Sequence, residues 1–233
     1  MQARDFNTVS ELREAFPSAF LADGTVDLSY QRGIRTLARD MTVERDLILD
    51  ECLNLVEIPD GLIVKGMLSC NHCRTLKRIG KAEVGGIFQV TGSESLCNIN
   101  SNLKVGELHI VCCPRLAHIP DTVLVEGSVS LSYCENLIDV PWKTVNGNFS
   151  ATACTSLSNL PPQFTVDGRL NISETRGLEL RDDVTAPLIF ARRCEGLTIS
   201  ESLMNRMPGR IDLEGSEYTL AGPSLEDSSP SPS

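Results

Sequence analysis

Large rings are scarce in this chain: aromatic residues make up 5% of it, with a single tryptophan, and histidine occurs three times. A core built here has to be filled by Leu, Ile and Val, and a hydrophobic content of 41% is enough to fill one. No run of 18 apolar residues occurs and no basic segment leads into an apolar stretch at the start, so neither a transmembrane helix nor a secretory signal is expected. Basic residues are outnumbered, 21 against 31 acidic, for a formal charge of −10. Binding to a phosphate backbone needs a basic stripe, so a protein surface is the expected partner, and neither nucleic acid nor membrane. GxSxG, P-loop and dinucleotide fingerprints are missing, and His72, His109 and His118 sit in no hydrolase motif. The carboxylate pairs Asp50-Glu51 and Asp182-Asp183 read as solvated edges, so the expectation is a non-enzyme without a cofactor.

In place of these signals the chain repeats one phrase. Leu47-Ile48-Leu49-Asp50-Glu51-Cys52, Leu108-His109-Ile110-Val111-Cys112-Cys113 and Val129-Ser130-Leu131-Ser132-Tyr133-Cys134 share the pattern apolar-x-apolar-x-x-Cys. Cys52, Cys73, Cys113, Cys134 and Cys154 occupy one slot at intervals of 20 or 21 residues, with Ser93 filling the slot between Cys73 and Cys113. Each copy continues with a leucine three residues on, then apolar-Pro (Ile58-Pro59, Ile119-Pro120, Val140-Pro141, Leu160-Pro161), then apolar-x-Val and often glycine. A period of this length is a solenoid period.

Two alternating apolar residues put both side chains on one face of a short strand. A single coil cannot bury that face, so coils stack and their strands pair in a parallel sheet. Proline fixes φ and removes a donor, which places an extended segment or a single 3₁₀ turn on the far side rather than a long helix. Glycine before the next strand is expected to permit the corner that returns the chain.

Written out, LxLxxCxxLxx(I/L)PxxLxVxG resembles the leucine-rich repeat family, in its short bacterial form, over roughly residues 25 to 215. The resemblance implies a repeat solenoid with parallel strands on the concave face, little helix and a short N-terminal helical cap. It also implies that the slot side chain turns inward and bonds to backbone of the adjoining loop, which makes the five cysteines a ladder of buried, reduced thiols. Some relatives join such repeats to a catalytic domain, and with 13 residues after Leu220 none is expected here.

Residues 1–24 are expected to form the cap, with Thr8-Val9-Ser10-Glu11 as a capping box opening a helix that turns Val9, Leu12 and Phe16 to one side and stops at Pro17. Residues 25–220 form about nine coils, degenerate after 175, where Thr175 takes the cysteine slot. Between Leu188 and Ala191 two registers, Leu188-x-Phe190 and Ile189-x-Ala191, fit equally. Residues 221–233 read as a disordered Ser/Pro tail.

Cys70-Asn71-His72-Cys73, with His109, Cys112 and Cys113 two coils on, raises a zinc site. The register turns Cys70 and Cys73 inward but His72, His109 and Cys112 outward, so no metal is expected. The outward columns remain. Asp27, Ile48, Ser69, Gln89, His109, Ser130, Ser150 and Asn171 form one, and Glu51, His72, Gly92, Cys112, Tyr133, Ala153 and Glu174 the next. Their near-neutral centre points to His72, Gln89, His109, Ser130, Tyr133, Ser150 and Asn171 as partner-binding residues. The functional expectation is a monomeric protein-interaction module acting in a cytosol, of the kind a bacterial or phage effector or inhibitor uses, including one delivered to a host cytosol without a cleavable signal. The alternative is a carbohydrate-active enzyme or carbohydrate binder on a parallel β-solenoid, which needs longer three-sheet coils and carboxylates clustered across neighbouring coils.

Overall fold

A computed structural model describes residues 3–222, and in it the chain winds as a parallel β-solenoid of about nine turns with little helix. The strand segments of the repeated phrase stack into one principal sheet of ten rungs. Its first five are Val26–Asp27, Leu47–Ile48, Leu68–Ser69 and the C-terminal parts of Ala82–Thr91 and Lys104–Val111. The others are Val129–Ser130, Phe149–Ser150, Arg169–Asn171, Leu188–Phe190 and Ile211–Asp212. Pairing is in register along the stack, Leu47 with Leu68, Phe88 with Leu108, Val129 with Phe149 and Leu170 with Ile189. The last pairing decides the ambiguous register: Ile189 and Ala191 point inward and are fully buried, leaving Phe190 outside.

The far sides are extended, and parts of them also pair. Thr42–Val43, Leu62–Val64 and the first residues of Ala82–Thr91 form a second column. Arg4–Asp5, Ile34–Thr36, Glu57–Ile58, Arg78–Ile79 and Asn98–Ile99 form a third. The third column continues where Gly80 and Asn100 donate their N–H groups to Ile58 and Ile79, both at 2.8 Å. The equivalent position is proline at Pro59, Pro120, Pro141 and Pro161; the column passes the isolated Pro59 as Glu57–Ile58 but has no strand where three coils in succession carry proline. It resumes at Glu179–Leu180, where Arg181 donates from its guanidinium to the carbonyls of Leu160 at 3.0 Å and Pro161 at 2.9 Å.

The corner glycines act for another reason than the one expected. Gly106 does not adopt a positive φ. A Cβ there would lie 2.6 Å from the carbonyl oxygen of Gly85 and 2.8 Å from that of Gly86. Close approach of backbone in the preceding coil, not a left-handed turn, excludes a side chain.

Both ends carry a helix. In α1 (Val9–Ala15) Thr8 accepts from the Glu11 N–H, and Glu11 reaches back to the Asn7 N–H rather than to Thr8. Leu12 is fully buried, with Val9 and Phe16 packed against the same core. The N-terminal segment also supplies Arg4–Asp5, paired with Ile34–Thr36, a contribution the sequence does not announce. A second helix, α2 (Glu201–Arg206), buries Leu203, and Arg206 donates to the carbonyls of Asp182 and Val184. Tyr218–Ala221 pairs with Leu197–Ser200, so Ala221 belongs to the solenoid; the rest of the expected tail, 223–233, lies outside the described residues.

Candidate functional site

Each rung ends in the same backbone device. Tyr30, Glu51, His72, Gly92, Cys112, Tyr133, Ala153, Glu174, Arg193 and Gly215 all have φ between 51° and 71°. These residues are the second outward column. Their N–H groups extend the ladder by one bond, Tyr133 donating to Thr152 at 2.7 Å and Ala153 to Ser173 at 2.9 Å. The left-handed residue then turns the chain so that the next side chain enters the core. Left-handed backbone costs an L-residue roughly 1–2 kcal/mol, which glycine avoids at a smaller entropic cost. Ala153→Gly should therefore raise stability by about 0.5–1 kcal/mol, read as a shifted urea midpoint with an unchanged m-value. A loss of stability would mean the column is not held left-handed in solution.

The slot that follows is closed. Cys52, Cys73, Cys113, Cys134 and Cys154 are 0% exposed. Their thiols donate to carbonyls of the preceding coil, Cys52 to Leu28 at 3.1 Å, Cys73 to Leu49 at 3.1 Å and Cys154 to Leu131 at 2.9 Å. The bond thus runs between coils, whereas the resemblance implied a bond to the loop beside it. Burial pushes the thiols of Cys52, Cys73 and Cys113 up to about 12 and that of Cys154 to about 11. All nine cysteines are free; Cys97 and Cys112 are exposed. Cys70 and Cys73 face inward while His72 is exposed and His109 faces outward, and among the described residues no group of three His, Cys, Asp or Glu is placed to hold a metal ion.

Register lays Gln89, His109, Ser130, Ser150 and Asn171 on consecutive rungs of one straight ladder. His72 and Tyr133 stand in the left-handed column beside it. The N-terminal part of this face is tied up internally: Asp50 accepts from the Ser69 hydroxyl at 2.6 Å and from the Asn71 N–H at 2.8 Å. His109 Nε2 lies 3.3 Å from a Glu107 carboxylate oxygen. Ser150 shares hydroxyl contacts with Ser132 at 3.0 Å and Thr152 at 3.3 Å.

Towards the C-terminal end the face opens into a trough of about 580 Å³ between Tyr133 and Arg193. It gathers Tyr133, Ser150 and Asn171 from the expected set, and its lining leaves out His72, Gln89, His109 and Ser130. It adds Arg169, Phe190, Arg192 and Arg193, which the sequence reading did not select. Arg192 Nε donates to Asp212 at 2.9 Å and holds that carboxyl below its usual range; Arg193 pairs with Glu174 at 3.1 Å. Arg169 has no ion-pair partner among the described residues.

No helix among the described residues is long and apolar enough to cross a membrane. Compared with family models, with curated proteins and with solved structures, the chain finds no match in any of the three.

Proposed function

We propose that the protein is a non-enzymatic binding solenoid of leucine-rich-repeat type, working in a reducing cytosol, whose principal sheet docks a partner protein. The observation that carries this reading is the unbroken ladder of ten rungs. It presents aligned, half-buried, mostly uncharged side chains from Gln89 to Asn171, while the third side is interrupted. Rigid, extended sheets with polar and aromatic groups at their centre suit protein contact. A glycosidase would need two carboxylates facing each other across neighbouring coils. The trough is lined by one, Glu174, and that one is engaged by Arg193.

Replacing His109, Ser130 and Tyr133 together by alanine should abolish retention of the partner from the native source, while costing less than about 1 kcal/mol in stability. The same change at the exposed Lys77, Asp139 and Asn159, on the opposite side, should leave retention intact. The opposite pattern would move the docking face to another side of the solenoid.

A further inference from the structure

Charge is not spread evenly over the principal sheet. The outward rows of its first two rungs carry Asp27, Asp46, Asp50 and Glu51 and no base. The next five rungs carry neither arginine nor lysine in those rows. Every arginine of the face falls on the last three rungs, Arg169, Arg192, Arg193 and Arg210, alongside the acids Glu174, Asp212 and Glu214, of which the last two pair with Arg192. In a chain of net charge −10 this segregation is a feature to be explained.

Three of these arginines line the trough, and the floor between them is Asn171 and Phe190, on neighbouring rungs. Phe190 is the largest outward side chain of its column and is only half-buried. Arg192 sits against the same ring, its guanidinium carbon 5.7 Å from the centroid. From the Tyr133 rung to the Phe190 rung is three coil spacings, on the order of 14 Å, which an extended chain covers in about four residues.

We propose that this trough receives an acidic, extended polypeptide segment bearing an aromatic or long aliphatic residue, a proposal that rests on the principal sheet being the docking face. The apolar residue of the segment lies on Phe190 and Tyr133, and its carboxylates take Arg169 and Arg193 in paired, charge-assisted hydrogen bonds. Asn148, Ser150, Thr152 and Asn171 supply the polar partners an extended backbone requires. Glu174 occupies Arg193 until a carboxylate of the segment displaces it. Removing Glu174 therefore strengthens binding, which no purely structural role for that ion pair would do.

The test uses the full chain and a fluorescein-labelled octapeptide alternating Asp and Phe, followed by fluorescence anisotropy. Controls replace Asp by Asn or by Lys, and further arms present a hexagalacturonate and inorganic phosphate as competitors. The acidic peptide should bind and its lysine counterpart should not. Arg169→Gln should weaken binding at least tenfold, Glu174→Gln should tighten it severalfold, and added salt should weaken it. Paired replacement of Lys77 and Asp139 by alanine, on the opposite side of the solenoid, should leave peptide affinity unchanged. Indifference to Arg169→Gln, or equal binding of the three peptides, overturns the proposal. If peptide binding ignores charge but falls when His109, Ser130 and Tyr133 are replaced by alanine, the sheet still docks a partner and the acidic specificity is wrong. Binding of the hexagalacturonate in preference to the peptide overturns it in favour of an acidic polysaccharide.

Discussion

Raising the pH should unfold the protein in one cooperative step between about pH 9 and 12, with thiolate absorbance appearing as the far-ultraviolet signal of the sheet is lost. In the unfolded chain the thiols ionise near 9.0, whereas burial holds Cys52, Cys73 and Cys113 neutral up to about 12 and Cys154 up to about 11. A folded value above the unfolded one stabilises fully below the unfolded value, and the benefit is lost as pH rises towards the folded value. Each such thiol removes about 1.4 kcal/mol per pH unit in that window, so while all four titrate they remove roughly 6 kcal/mol per pH unit. A domain stable by 5–15 kcal/mol does not reach the upper limit of the window folded. Serine at Cys52, Cys73 and Cys113 should move the midpoint upward. Thiolate formation near pH 9 at all of these positions, in a protein that keeps its sheet signal, would mean the ladder is open to solvent.

Cys134→Arg should lose at least 3–5 kcal/mol, or fail to fold, in urea denaturation followed by circular dichroism. The side chain is 0% exposed in the hydrophobic core, and its thiol hydrogen-bonds to backbone carbonyls, those of Ile110 at 3.5 Å and Ser132 at 3.9 Å. No carboxylate forms an ion pair in that slot among the described residues, so the guanidinium would be buried unpaired. Cys134→Ser is the control and should cost about 1–2 kcal/mol, because the slot already accepts hydroxyls. Ser93 donates there to the Cys70 carbonyl at 3.4 Å, and Thr175 to that of Ile172 at 2.8 Å. An arginine variant within 1 kcal/mol of the parent would place the slot at the surface.

The inward phrase was legible because burial selects residue type: Leu, Ile and Val alternate wherever one face of a strand is closed. From Leu188 to Ala191 four consecutive apolar residues satisfy either register, and only pairing of Ile189 with Leu170 separates them. Phe190 lies inside that ambiguous stretch and Arg192 and Arg193 directly after it, so the outward positions that line the trough cannot be assigned from the sequence. The left-handed column was hidden for a different reason. Eight of its ten members are not glycine, since the neighbouring coil's carbonyl, not intrinsic preference, holds them there. The α2 helix has a faint signal in Leu203, Met204 and Met207, overshadowed by the expectation that the far side is extended. The third column tolerates the isolated Pro59 beside Glu57–Ile58 and is lost only where prolines fall on three coils in succession, Pro120, Pro141 and Pro161, so the effect of one missing donor depends on the coils stacked against it.

Every rung of the principal sheet bonds only to the rung before and the rung after it. Under mechanical load applied to the last coil, bonds are therefore met a few at a time instead of all in parallel. The molecule behaves as a wound thread and not as a clamp: tension peels Tyr218–Ala221 from Leu197–Ser200 and then Ile211–Asp212 from Leu188–Phe190 before Leu188–Phe190 feels it. Each turn released adds about 20 residues, or roughly 70 Å, of slack. A partner straddling several rungs closes this route, since it must be sheared off before the thread can run, and docking then doubles as mechanical reinforcement.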